Sequence, residues 1–170
     1  MFWKLAWDID QFDDIQRNGP DIVEPLAFAA INVCFSATSL GEWVAAAYVT
    51  RIRSEGGTAK RDEIIKQIHQ RIPQQKICDA IANTAKHSRF HEGKWSGGSA
   101  RIDLDKPDED SPGGHILRHV HANGATTKVA LNEFMSLEQN WWNELQNLGF
   151  TFPYIGPEWR QHRIRRIFGY

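Results

Sequence analysis

The apolar positions of this chain recur mostly at three- and four-residue intervals, the spacing that gathers side chains on one face of a helix. From about Phe2 to Gln16, Phe2, Leu5, Ile9 and Phe12 make one stripe. Asp10, Asp13 and Asp14 help form the opposite side, which the pattern assigns to water. Gly19 and Pro20 in "RNGPD" end this helix. A second helix starts near Asp21 to Pro25, since a first-turn proline gives up an N–H that has no helical partner. It ends before "SEGG", and it is apolar almost all round, so it should be buried on most sides. Thr58 can cap a third helix with core positions Ile64, Ile65, Ile68 and Ile72. Pro73 opens a fourth, "PQQKICDAIANTAKH", whose apolar face is Ile77, Cys78, Ile81, Ala82 and Ala85.

After His91 the period changes. "GKWSGGSARIDLDKPDEDSPGG" is rich in glycine, proline and acid around one alternating run, "ARIDLD". In "HILRHVHANGATTKVAL", Asn123-Gly124 between two alternating runs is the signature of a β-hairpin. A two-residue turn there sets His119 opposite Lys128 and His121 opposite Thr126. A last long helix, about Asn132 to Leu148, carries Phe134, Trp141, Leu145 and Leu148 and stops at Gly149. The expected fold is mainly α. It is a bundle of about five helices, with a small β-hairpin insertion at about 95–130, before the last long helix. Residues 1–150 form one domain, followed by a basic aromatic tail at 151–170.

The composition is ordinary for a globular chain: 170 residues, 41% hydrophobic and 24% charged. A formal net charge of -1 means that any nucleic-acid binding must come from a local patch. Cys34 and Cys78 lie in apolar helical surroundings without a disulfide pattern, so both are expected reduced, buried and structural, in the cytoplasm. "MFWKLAWDIDQFDD" lacks the basic start and apolar run of a signal peptide. Leu26 to Val49 is long enough to span a membrane, but Asn32, Ser36, Thr38, Ser39 and Glu42 interrupt it, which favours a core helix.

One stripe of the fourth helix carries the candidate chemistry. Asp79, Asn83 and His87 follow at four-residue steps, with Lys86 beside them, on the side away from the apolar face. A histidine tuned by a carboxylate is an acid–base group near neutral pH. The plainer reading is a wet helix face, with Lys86 and His87 favoured near the C-terminus by the macrodipole. Asn32 would need a hydrogen-bond partner if buried, and this polar edge is the nearest source.

"IANTAKH" resembles the C-terminal helix motif of the HEPN superfamily, whose ribonuclease members carry Arg, a polar residue that is often Asn, three further residues, then His. Asn83 and His87 match, and Ala82 stands at the arginine position. The resemblance implies Asn83 and His87 as the catalytic or ligand-facing pair, with Lys86 and Arg89 as nearby binding cations. With the arginine missing, it implies a module that binds RNA or a protein without cleaving. "AAINVCFSATSLGEWV" with "CDAIANTAKH" also resembles a family of uncharacterised bacterial and phage helical proteins, through Asn32, Trp43, Asn83, Lys86 and His87, over about residues 25 to 90. This resemblance implies a role in a bacterial or phage conflict or stress system.

Two other constellations bear on function. His115, His119 and His121 share one strand parity, a geometry that zinc can use; the alternative is a solvent-facing hairpin side. No cofactor is otherwise expected. In the tail, Arg160, Arg163, Arg165 and Arg166 are interleaved with Trp159, Phe168 and Tyr170, a mixture that can grip phosphates and stack on bases. The same arginines can instead dock on Asp10, Asp13 and Asp14. Three function readings follow. The first is a non-catalytic HEPN-like binding module for RNA or a protein, a homodimer included. The second is a ribonuclease or metal-dependent hydrolase using His87 with the hairpin histidines. The third is a phage-encoded inhibitor or antitoxin-like interaction protein.

Overall fold

The computed structural model describes residues 1–18, 23–86, 98–106, 114–121, 123–129, 131–151 and 156–169. Its apolar stripes are the ones the periodicity marks. On α1 (Phe2–Asn18), Phe2, Leu5, Ile9 and Phe12 are buried. They pack on α2 (Val23–Ser54), which also packs on α4 (Pro73–Lys86). α3 (Arg61–Arg71) buries Ile64 and Ile68. α5 (Leu131–Asn147) inserts Phe134, Leu137, Trp141 and Leu145, and the Phe134 ring meets Phe12 edge-on at 5.0 Å. Each such side chain contributes roughly 1.5–3 kcal/mol by leaving water.

The fold is therefore a mainly helical bundle with a β insertion before the last long helix. The insertion is an antiparallel three-stranded sheet in the order β1 (Gly98–Asp105), β2 (Gly114–His121), β3 (Thr126–Val129), so the "ARIDLD" run adds a strand to the expected hairpin. The β2–β3 register differs by one residue from the two-residue-turn expectation. His119 pairs with Thr127 rather than Lys128, and the last pair is Val120 with Thr126. A type I′ turn needs positive φ at both central residues. Among the described residues only glycines have positive φ, Gly124 at 81° but not Asn123. The Asn123 Oδ1 instead accepts from the Ala125 N–H at 2.9 Å, a side-chain turn that fits an odd loop length.

Several local expectations are corrected. α3 begins at Arg61 with Lys60 in the cap position and no side-chain cap, so Thr58 does not cap it. Asp62 and Glu63 in the first turn favour the helix dipole instead. On α4, Cys78, Ile81 and Ala82 are buried, Ile77 is half-buried and Ala85 is exposed. Asn32 is exposed and needs no interior partner. Asn32→Ala should therefore change stability by less than about 0.5 kcal/mol, which a urea titration measures. A loss above 1 kcal/mol would place Asn32 in the core after all.

α2 is long and apolar enough to cross a membrane by length and composition. Its buried residues, from Leu26 to Val49, pack on α1 and α4, while Phe28 and Trp43 remain 65% and 50% exposed. Cys34 and Cys78 are free and buried. A hydrogen bond with the Cys34 thiol, then burial, pushes the Cys78 thiol well up, which makes it a poor nucleophile.

The tail contains a helix, α6 (Glu158–Phe168), that the sequence reading left unassigned. α5 ends in a Schellman motif: Phe150 N–H bonds to Leu145 O and Gly149 N–H to Gln146 O, both at 2.9 Å. Gly149 takes φ 73°, which a side chain would resist.

Candidate functional site

Asp79 sits on the fourth helix one turn before Asn83, and its carboxylate meets three neighbours. Oδ1 accepts from Thr38 Oγ1 of α2 at 2.8 Å and from Gln75 Nε2 at 2.7 Å. Oδ2 lies 2.7 Å from His69 Nε2 of α3. The stripe that runs from Asp79 toward Asn83 is thus tied, at Asp79, to α2, to α3 and to the preceding turn of α4. The break at Ile72-Pro73 turns α4 back beside α3, which brings position 79 to position 69.

Gln75 extends this network inward. Its Nε2 also donates to Ala37 O at 3.0 Å, and its Oε1 accepts from Trp141 Nε1 at 2.8 Å. Gln75 and Trp141 are buried, and every polar atom of the Gln75 side chain is used. Gly41 makes the close approach feasible: a Cβ there would lie 3.2 Å from Gln75 Nε2 and 3.7 Å from Trp141 Cζ2.

Outside this floor lies a cleft of about 730 Å³ lined by Glu42, Arg61, Lys66, His69, Lys76, Asp79 and Asn83, among others. Arg61 is paired with Glu42. Lys66 and Lys76 are exposed and have no ion pair among the described residues. Asp79 fixes His69 through Nε2, so Nδ1 is the ring nitrogen left for a ligand or a proton. A positioned histidine, an amide and two lysines can hold an anion and exchange a proton with it.

The other sequence candidates are placed as follows. Asn83 lines the cleft. His87 and Arg89 lie outside the described residues, and so does the Lys86 side chain at the end of α4. His115, His119 and His121 lie on β2, opposite Leu104, Ala100 and Gly98 of β1; their side chains are outside the described residues. The zinc expectation rests on those side chains. Elsewhere among the described residues no group of three metal-binding side chains gathers.

The tail arginines divide into two kinds. Arg163 is half-buried against α1, with Nη1 3.2 Å from Asp10 Oδ1 and Nη2 2.6 Å from Asp13 Oδ2 and 3.0 Å from Asp14 Oδ1. Arg160 pairs with Glu138 of α5, its Nη2 donating to Oε2 at 2.9 Å. These two arginines are held by carboxylates and are not free phosphate grips. Arg165 and Arg166 are exposed, and Trp159 stacks edge-on against Trp7 at 4.9 Å.

Sequence reasoning missed His69, Gln75 and Trp7 as site residues. His69 carried one weak signal, an imidazole beside the apolar stripe of α3. Gln75 carried none, because a buried amide looks like any polar residue in a first turn. No family model matches the chain, and no curated protein or solved structure matches it.

Proposed function

We propose that this chain is a cytosolic HEPN-like binding module, of a bacterial or phage conflict or stress system, that contacts RNA through the cleft between α2, α3 and α4. The observation that carries this reading is the cleft itself. It sets two lysines without ion partners among the described residues, Lys66 and Lys76, over a floor of His69, Asp79 and Asn83. Glu42 and Arg61 offset each other at the wall, and Asp62 and Asp79 are the opposing charges in the lining. Lysines of this kind bind phosphate as point charges, and each neutralised phosphate releases counterions.

The test is RNA affinity and its salt dependence. Replacing both lysines, Lys66→Glu with Lys76→Glu, is expected to weaken single-stranded RNA binding at least tenfold. It should also flatten the slope of log affinity against log salt by about 2, since two phosphate contacts are lost. Fluorescence anisotropy with a labelled oligonucleotide reads both. Equal affinity and slope in the variant would move the RNA contact elsewhere; no RNA binding by the parent protein would end the reading.

A catalytic reading has one specific observation in its favour, the bond from Asp79 to His69 Nε2. A carboxylate orienting an imidazole is the base–orienter half of a proton-transfer site, and RNA brings its own 2′-hydroxyl nucleophile. Incubation of RNA with parent and His69→Ala protein separates the two readings. Cleavage by the parent that the substitution abolishes would establish catalysis, whereas intact RNA with retained binding supports the binding module.

A further inference from the structure

We propose that the outer edge of β1 is a homodimer interface. A second copy of this chain adds its own β1 there, antiparallel and centred on Ile102, to make one continuous sheet. The strand carries none of the residues that line the α2–α3–α4 cleft, and the interface does not rest on the reading given for that cleft.

β1 stands at the end of the sheet order and pairs with β2 along all 8 of its residues. Among the described residues no strand pairs with its other edge. The backbone N–H and C=O groups on such an edge are a template for a further strand, and a two-fold copy of the same edge supplies one. At the opposite edge β3 has only 4 residues, so β1 offers the longer ladder.

The order of residues along β1 selects the partner. A copy that keeps the buried faces of the two sheets continuous meets β1 in registers that differ by two residues. Centred on Ile102, the register sets Arg101 opposite Asp103 of the second copy, twice by symmetry, and Ser99 opposite Asp105. On the other face it sets Ala100 opposite Leu104 and Ile102 opposite itself. Opposite charges that face each other across strands attract, and like charges repel. Moving the centre by one position sets Arg101 against Arg101 in one direction and Asp103 against Asp103 in the other. Charged residues commonly protect an edge from pairing, but this order of charges favours one register.

Two features of the single chain fit that register. Arg101 lies opposite Arg118 in the β1–β2 pairing, a like-charge position, while Arg118 donates to Asp103. Asp103 of the second copy brings a facing carboxylate to Arg101 from the outer side. Leu104 shares the strand parity of Ile102, whose cross-strand partner Leu117 is buried. Yet Leu104 is 71% exposed, the most of any large apolar side chain among the described residues. Ala100 of the second copy lies beside it in the dimer. The main-chain ladder gives the affinity, and the facing side chains give the register.

Sedimentation equilibrium reads the mass, and a concentration-dependent dimer is expected of the parent protein. Arg101→Asp sets like charges face to face across the interface but matches Arg118 within the chain. It should therefore fold, as its melting temperature will report, and weaken the dimer at least tenfold. Adding Asp103→Arg to it reverses the facing pair and should recover most of that loss. Ile102→Cys should cross-link two copies under oxidised glutathione, because directly paired positions lie within disulfide reach. Leu104→Cys, which faces position 100 instead of itself, should not. The native Cys34 and Cys78 are buried and serve as the silent background. A parent protein that stays monomeric up to its solubility limit would overturn the proposal. So would a dimer that Arg101→Asp leaves at full strength, or cross-linking as strong through Leu104→Cys as through Ile102→Cys.

Discussion

Replacing Gln75 with alanine is expected to cost the fold about 3 kcal/mol, the sum of a lost buried side chain and of polar groups left without partners. Gln75 is 1% exposed and its side chain ties three groups together. Trp141 Nε1 loses its acceptor, and Asp79 Oδ1 and Ala37 O each lose a donor. The indole N–H suffers most, since Trp141 is fully buried and no water reaches it. Gln74, one residue earlier, bonds only at the half-buried edge, to Glu133 and Asn140 at 3.2 Å each. Gln74→Ala should cost under about 1 kcal/mol. Urea unfolding of the two variants makes the comparison. Equal losses would mean that the Gln75 network is not a strut of the bundle.

Arg163→Ala should be the next largest loss, about 2–3 kcal/mol, and should free α6 from α1. Removing one partner of a buried ion pair leaves the other charge uncompensated, which costs more than the pair ever contributed. Here three carboxylates share one guanidinium that is 14% exposed. Limited proteolysis in the segment before α6, together with a red shift of Trp159 emission, should report the release. The sign of the pH dependence follows from Asp10. Burial raises its pKa above the ordinary 3.8, while Arg160 and Arg163 pull it down. A carboxyl whose pKa is higher in the folded state opposes folding once it ionises. The penalty is absent below 3.8, grows as pH rises through the raised value, and stays constant above it. Removing Arg163 deepens that penalty. The deficit of the variant should therefore be largest at neutral pH and shrink as the solution is acidified. A deficit independent of pH would attribute the loss to packing alone.

The helices α1 to α5 and most of their buried stripes were legible in the sequence, α6 was not, and the break of pattern that becomes the sheet was. Burial of a helix face repeats every three to four residues, so it leaves a local record, as Phe2, Leu5, Ile9 and Phe12 show. The same logic placed Cys34 and Cys78 in the core. The hairpin was legible but its register was not, because Asn-Gly accommodates more than one turn, and the Asn123 side chain closes the one that forms.

Of the candidate site, the sequence supplied Asp79 and Asn83 as neighbours on one face. It could not supply His69, which reaches them only because the chain reverses at Pro73. Nor could it decide the fate of Asp10 and Asp13. Their pattern marks a polar face, and a polar face is wet only if nothing covers it. Arg163, about 150 positions along the chain, covers it with matched charge. The sequence by itself determined which residues share a face, because that is set by backbone geometry over a few residues. Only the tertiary structure decided what lies against each face, because that depends on contacts between distant segments, whose partners no local spacing records.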